Sequence, residues 1–130
     1  PFVPLADTTI DACVELLEAS GADSVASVLR VPHQYNPKWV YWRNDRGEMT
    51  LSTGESSPVP RRQDLPPAFH RDGSIYLTRR DVLDEYGNLY GKKVQGYELD
   101  PARSVNIDTV EDWEMAEKML GAEISNKTPN

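Results

Sequence analysis

An α/β domain is predicted, on three observations. An amphipathic helix closed by a glycine runs directly into a β-branched strand, the helix-to-strand step of an α/β protein. Helix-like and strand-like segments then continue to alternate along the chain. The 130 residues suffice for one ordinary core, burying roughly two-thirds of the unfolded surface.

The first helix is expected over residues 8–20. Ile10, Cys13, Val14 and Leu17 fall at i, i+3, i+4 and i+7, one apolar stripe. Asp7 or Thr8 can cap its start, and Gly21 sits where a left-handed closing residue belongs. Cys13 on this stripe reads as a buried filler, since no base lies nearby to activate a thiol. Residues 24–31 follow as a strand carrying Val25, Val28, Leu29 and Val31, stopped by Pro32.

Residues 38–51 read as a hairpin: an aromatic and β-branched run, turn chemistry at Asn44-Asp45-Arg46-Gly47, and a return through Met49 and Leu51. Tyr35, Trp39, Tyr41 and Trp42 are better explained by sheet packing or a subunit interface than by ligand stacking. Residues 52–67 hold four of the ten prolines and form an extended loop of functional length.

A strand is expected over 73–77. Thr78-Arg79-Arg80-Asp81 has capping-box spacing and opens a short helix ending at Gly87. Residues 94–99 form a strand closed by Pro101, and 104–108 alternate as an extended segment. Asp108 or Thr109 caps a last helix with Val110, Trp113, Ala116 and Leu120 buried and Gly121 at its end. The domain is thus expected over 1–121, with a polar, frayed tail at 122–130.

Fourteen basic against twenty-one acidic residues, a net charge of −7, argue against general nucleic-acid binding. One cysteine cannot form an internal disulfide, and no Cys/His cluster has zinc spacing. No signal peptide or membrane-length apolar run is present, so a cytoplasmic protein is expected. Dinucleotide, Walker-type and nucleophile-elbow motifs are absent, and His33 and His70 lack triad partners.

Arg61, Arg62, Arg71, Arg79 and Arg80 fall within twenty positions, opposed only by Asp64 and Asp72. A guanidinium fork suits a carboxylate or phosphate, so an anion site is expected. For Arg79 and Arg80, in a helix's first turn, a solvated charged face explains the charge equally well. Arg62 and the His70-Arg71 pair, on a loop and just before a strand, favour function. Asn106 and Asp108 alternate along an extended segment and would share a face suited to Mg²⁺, although capping alone explains Asp108 better.

Gln63-Asp64-Leu65-Pro66-Pro67, then Asp72-Gly73-Ser74-Ile75-Tyr76-Leu77, then Ser104-Val105-Asn106-Ile107-Asp108-Thr109 through Trp113 resemble the acylneuraminate cytidylyltransferases, or CMP-sialic acid synthetases. The family pattern is approximately RQ-x-LP, NG-[AS]-IY and S-[IV]-D-I-D-T-x-x-D, in that order. The resemblance implies a partial doubly wound, nucleotidyltransferase-like sheet with an inserted β-hairpin dimerisation arm at about 38–72, and hence a homodimer. It implies transfer of CMP from CTP to a nonulosonic acid, with Mg²⁺ offsetting phosphate charge.

By position, Arg62, Gln63, His70 and Arg71 become substrate-binding candidates, and Asp108 with Asn106 the metal candidates. Asn106 stands where the pattern has a second aspartate, which would weaken that metal site. His70 takes a position that is usually arginine, and Arg71 beside it can substitute. Pro4-Leu5 matches the end of a P-[TS]-S-P-L-R segment, in which Phe2, Val3 and Ala6 replace hydroxyl residues and an arginine. A CTP loop of the type R-x-G-S-K-G would precede Pro1. The chain is therefore expected to be a C-terminal half, inactive alone or a non-catalytic dimeric module binding an acidic sugar or phosphate.

Overall fold

The computed structural model describes residues 8–104 and 107–127. Its elements are α1 (Thr9–Ser20), β1 (Ser24–Arg30), β2 (Tyr41–Arg43), β3 (Met49–Leu51), β4 (Phe69–Thr78), α2 (Arg80–Tyr86), β5 (Val94–Glu98) and α3 (Val110–Lys127), with single 3₁₀ turns at His33–Tyr35, Arg62–Asp64 and Pro101–Arg103. The mixed α/β class is as predicted. The chain divides into two compact units, residues up to 29 together with those from 71 onward, and residues 30–70.

The first unit is built on a sheet of order β4-β1-β5. β1 and β5 run parallel, Ser24 opposite Val94 through Val28 opposite Glu98. β4 runs antiparallel to β1, because Arg79 N–H meets the Asp23 carbonyl while Ile75 N–H meets Ser27. The central strand β1 is buried on both faces from Ser24 to Ser27, as a strand with neighbours on each side must be. Cys13, Val25 and Ile75 form the core, with Leu16, Leu17, Leu77 and Tyr97 packed around them.

α1 and its glycine close as expected, with Gly21 left-handed at φ 62°. The buried face is rotated from the predicted stripe, however. Thr9 and Cys13 are inside, whereas Ile10 and Val14 are exposed, because the sheet meets the row 9, 13, 16 and 17 rather than the row through Ile10. α3 departs in the same way. Only Ala116 of its expected stripe is buried, and Val110 and Trp113 are exposed. α3 also continues through Gly121 to Lys127, since a glycine ends a helix only where it turns left-handed, and Gly121 does not.

The helix α2 lacks the expected capping box. Thr78 Oγ1 donates to the Leu89 carbonyl at 2.6 Å, and Arg79 stands at the cap position without a side-chain capping bond. Residues 104, 107 and 108 are not in a strand. Thr109 Oγ1 instead accepts the Asp112 N–H at 3.2 Å while Asp112 Oδ2 accepts the Thr109 N–H at 2.9 Å, a reciprocal cap that opens α3.

In the second unit, β2 and β3 form the expected hairpin, Tyr41 opposite Leu51 and Arg43 opposite Met49, turning at Gly47 with φ 84°. Three-residue strands are too short to hold themselves. Side chains tie the loops instead: Asn36 Nδ2 donates to the Pro66 carbonyl at 2.8 Å, and Trp39 Nε1 to the Val59 carbonyl at 2.7 Å. Among the described residues no helix is long and apolar enough to cross a membrane.

Candidate functional site

The strand β4 carries the chemistry of the first unit. Gly73 adopts φ 88°, a conformation that strongly favours glycine. The Ile75 amide donates to Ser27 Oγ at 2.8 Å. Ser27 in turn donates its hydroxyl to Asp72 Oδ1. Ser74 and Ser104 donate theirs to Oδ2, the latter at 2.9 Å, and the Ser74 amide lies 3.2 Å from Oδ1.

Asp72 is 8% exposed, and all of these contacts donate to it. An ionised carboxylate, an acceptor only, matches such a set. Burial is the largest single influence and pushes the carboxyl pKa up, but the bonds from Ser27, Ser74 and Ser104 together outweigh it and hold the group below its ordinary value. Asp72 thereby joins β1, β4 and the segment entering α3. It stands where the family pattern has asparagine, and that departure was the one sequence signal for its role.

Beside it, Arg71 stacks its guanidinium 4.8 Å from the Tyr90 ring centre and donates Nη1–H to the Tyr90 hydroxyl. Tyr76 meets Tyr90 edge-on, ring centres 6.4 Å apart. The turn that presents Tyr90 is held from several sides. Asn88 Oδ1 accepts the Tyr90 and Gly91 amides at 2.9 Å each, and Ser24 Oγ donates to the Tyr90 carbonyl at 2.8 Å. Asp23 Oδ2 accepts the Lys92 and Lys93 amides at 2.7 and 2.9 Å. The Lys93 amide bond, then that of Lys92, lowers the Asp23 pKa.

The other predicted residues are distributed between the units. Arg62 and Gln63 are exposed on a 3₁₀ turn of the second unit. Their neighbour Arg61 is paired with Asp64 at 2.8 Å, whereas Arg62 has no ion pair among the described residues. His70 is exposed on β4 at the end of that unit. Arg79 pairs with Asp81 at 2.8 Å on an exposed surface, which fits the solvated-face reading.

Asp108 is exposed, and its amide donates to Asp112 Oδ2 at 3.1 Å. Asn106, the other metal candidate, lies outside the described residues, as does the Pro4-Leu5 match. Among the described residues no three His, Cys, Asp or Glu side chains gather as ligands. The buried carboxylate nearest this segment, Asp72, has both oxygens engaged by hydroxyls.

No family model matches the chain. It is 35% identical over 109 residues to N-acylneuraminate cytidylyltransferase A of Danio rerio, covering 82% of this chain and 24% of that protein. It is 31% identical over 109 residues to N-acylneuraminate cytidylyltransferase of Oncorhynchus mykiss, again 82% of this chain and 24% of the relative. By sequence, the chain belongs to the acylneuraminate cytidylyltransferase family. It also matches, at 24% identity over 93 residues, 72% of this chain and 39% of the relative, the post-translational flagellin modification protein B of Campylobacter coli. The chain spans about a quarter of the length of the two fish cytidylyltransferases. Asp72 and Arg71 are accordingly features of one part of a cytidylyltransferase-related protein.

Proposed function

We propose that this chain supplies the acidic-sugar side of a CMP-transfer reaction, in which a nonulosonic acid attacks CTP and pyrophosphate leaves. Arg62 with Gln63 beside it in the second unit, and separately Arg71 in the first next to His70 in sequence, are each contacts for an anionic group of such a ligand. The observation that carries this reading is Arg62 itself: in a chain of net charge −7, it stands exposed at the RQ-x-LP position, with no ion pair among the described residues, while Arg61 beside it is neutralised by Asp64. A guanidinium left in water on a family motif is available to a carboxylate or phosphate.

Turnover by these 130 residues alone is not expected, because they include no glycine-rich, basic loop to cradle the β and γ phosphates. Residues 38–72 serve as a dimerisation arm. Trp42, 71% exposed, and Met49, 57% exposed, give that unit an apolar surface suited to a second copy. The alternative reading, a dimeric module that binds an acidic sugar without converting it, shares the same ligand contacts.

Calorimetric titration with CMP and, separately, N-acetylneuraminate tests the contacts. Arg62→Ala is expected to weaken binding about tenfold, the worth of a lost charge-assisted bond. Unchanged affinity in both Arg62→Ala and Arg71→Ala would exclude the anion-site reading. Metal-dependent pyrophosphate release from the purified chain would overturn the expectation of inactivity.

A further inference from the structure

We propose that the cavity between the 3₁₀ turn at His33–Tyr35 and the proline segment at 65–68 binds a small monocarboxylate, its oxygens held by the Asn36 amide and the His33 ring and its hydrocarbon end by Leu65, Pro66 and Pro67. The cavity lies wholly within the second unit. It uses neither Arg62 nor Arg71, so it stands or falls apart from the anion contacts above.

The walls are held in place before any ligand arrives. Asn36 is 4% exposed and ties the two stretches of chain together. Its Nδ2 donates to the Pro66 carbonyl at 2.8 Å, and its Oδ1 accepts the Lys38 amide at 3.0 Å. The Val31 amide donates to the Ala68 carbonyl at 2.8 Å, a second tie between the same stretches. Pro66 and Pro67 fix their own φ near about −65°. The space left between is about 180 Å³, where one water needs only about 10–15 Å³. A small ligand makes too few contacts to order a loop as well, so preformed walls favour it.

The polar groups still unspent decide the chemistry. An asparagine amide nitrogen carries two protons. One goes to Pro66, and the second has no acceptor among the described residues. The His33 ring has no partner among them either. Both residues line the cavity, and both can donate an N–H to oxygen. A nearly buried N–H is costly until water or a ligand oxygen meets it. Val31, Leu65 and the two prolines line the rest, which suits a hydrocarbon body rather than a hydroxylated one. Arg30 adds a wall, its guanidinium 5.6 Å from the Phe69 ring centre. Charge selects an acid: residues 30–70 hold six lysines and arginines against four aspartates and glutamates, although the whole chain stands at −7. An anion is therefore drawn to this unit.

Titration of the ¹⁵N-labelled full chain with sodium butyrate at constant ionic strength tests the site. The readouts are the Asn36 side-chain amide pair and the Val31 and Ala68 backbone amides. Saturable shifts are expected with a Kd of about 1–10 mM, the range open to a ligand of so few atoms. 1-Butanol, which keeps the hydrocarbon and lacks the carboxylate, should bind about tenfold more weakly. Acetate, shorter by two methylenes, should also bind about tenfold more weakly. His33→Ala, at an exposed position, should weaken butyrate about fivefold, and Leu65→Ala should narrow the gap between butyrate and acetate. N-acetylneuraminate, hydroxylated over its body, should leave the Asn36 resonances unmoved.

The absence of a saturable shift with butyrate overturns the proposal, as does equal affinity for butyrate and 1-butanol. Unchanged butyrate affinity in His33→Ala overturns the two-donor site. Larger Asn36 shifts from N-acetylneuraminate than from butyrate would make the cavity part of the acidic-sugar contacts and overturn a separate site. Butyrate bound here, with neither N-acetylneuraminate nor CMP bound anywhere on the chain, would uphold this site while removing the anion contacts of Arg62 and Arg71.

Discussion

The two units solve the problem of irregular backbone in different ways. In the first, buried side chains link the strands: Ser27 accepts the Ile75 amide, and Asp72 gathers three hydroxyls and another amide. In residues 30–70, two three-residue strands and long loops are tied by single bonds such as Trp39 to Val59 and Asn36 to Pro66. Only Leu51 among the large apolar residues of that unit is buried, while Tyr35, Tyr41, Trp42 and Met49 are exposed. Irregular backbone in a sheet needs buried acceptors and donors that match it one for one. A loop-rich unit can instead keep its polar backbone near water and leave its apolar side chains for another surface.

The largest test of this contrast is Asp72→Ala. It leaves three serine hydroxyls and an amide without their common acceptor, and is expected to cost about 2–4 kcal/mol, read from the urea midpoint. If the midpoint moves by no more than an exposed substitution would move it, the carboxylate does not organise the first unit.

Acid should expose the same residue. The Asp72 pKa is lowered on folding, so its stabilising contribution is complete above the unfolded value of about 3.9 and disappears as pH falls through the lower folded value. Urea midpoints at neutral and acid pH should therefore diverge less in Asp72→Asn, which cannot titrate, than in the wild type. Equal slopes would assign acid sensitivity to other carboxylates, among them Asp23, Glu55 and Asp112, which are lowered as well.

In the second unit a comparable deletion should cost less. Trp39→Phe removes the indole N–H from the Val59 carbonyl, worth about 1 kcal/mol. Hydrogen exchange of the Ser52 amide, bonded to the Val40 carbonyl at 2.8 Å, should accelerate about fivefold, with β1 amides unchanged. Acceleration of both together would show that the two units open as one.

Smallest in stability is Trp42→Ser. At 71% exposure its removal should shift stability by less than about 0.5 kcal/mol. Light scattering should nonetheless report weaker self-association if the arm pairs two copies. Unchanged association would separate the exposed aromatics from dimerisation.

Much of the local structure was legible in the residues themselves. The helix ending at Gly21, the strand that follows, the hairpin turn at Gly47 and the short helix ending at Gly87 all rest on periodicity within one element or on a glycine's left-handed backbone. The predicted strand over 73–77 is the end of a longer one starting at Phe69. Its earlier start is not marked in the residues, because Gly73 reads in sequence as a boundary.

The sequence by itself determined the α/β class, the family and the arginine-rich stretch from 61 to 80. Tertiary structure alone decided which face of α1 meets the sheet, what caps α3, and which groups converge on Asp72 and Arg71. Ser27 lies 45 residues from Asp72, Ser104 lies 32 from it, and Tyr90 lies 19 from Arg71. Periodicity and capping act within a turn or a strand and leave a pattern in neighbouring residues. A hydroxyl that meets a carboxylate across a sheet leaves none, because its partner is chosen by strand register rather than by any residue nearby in the chain.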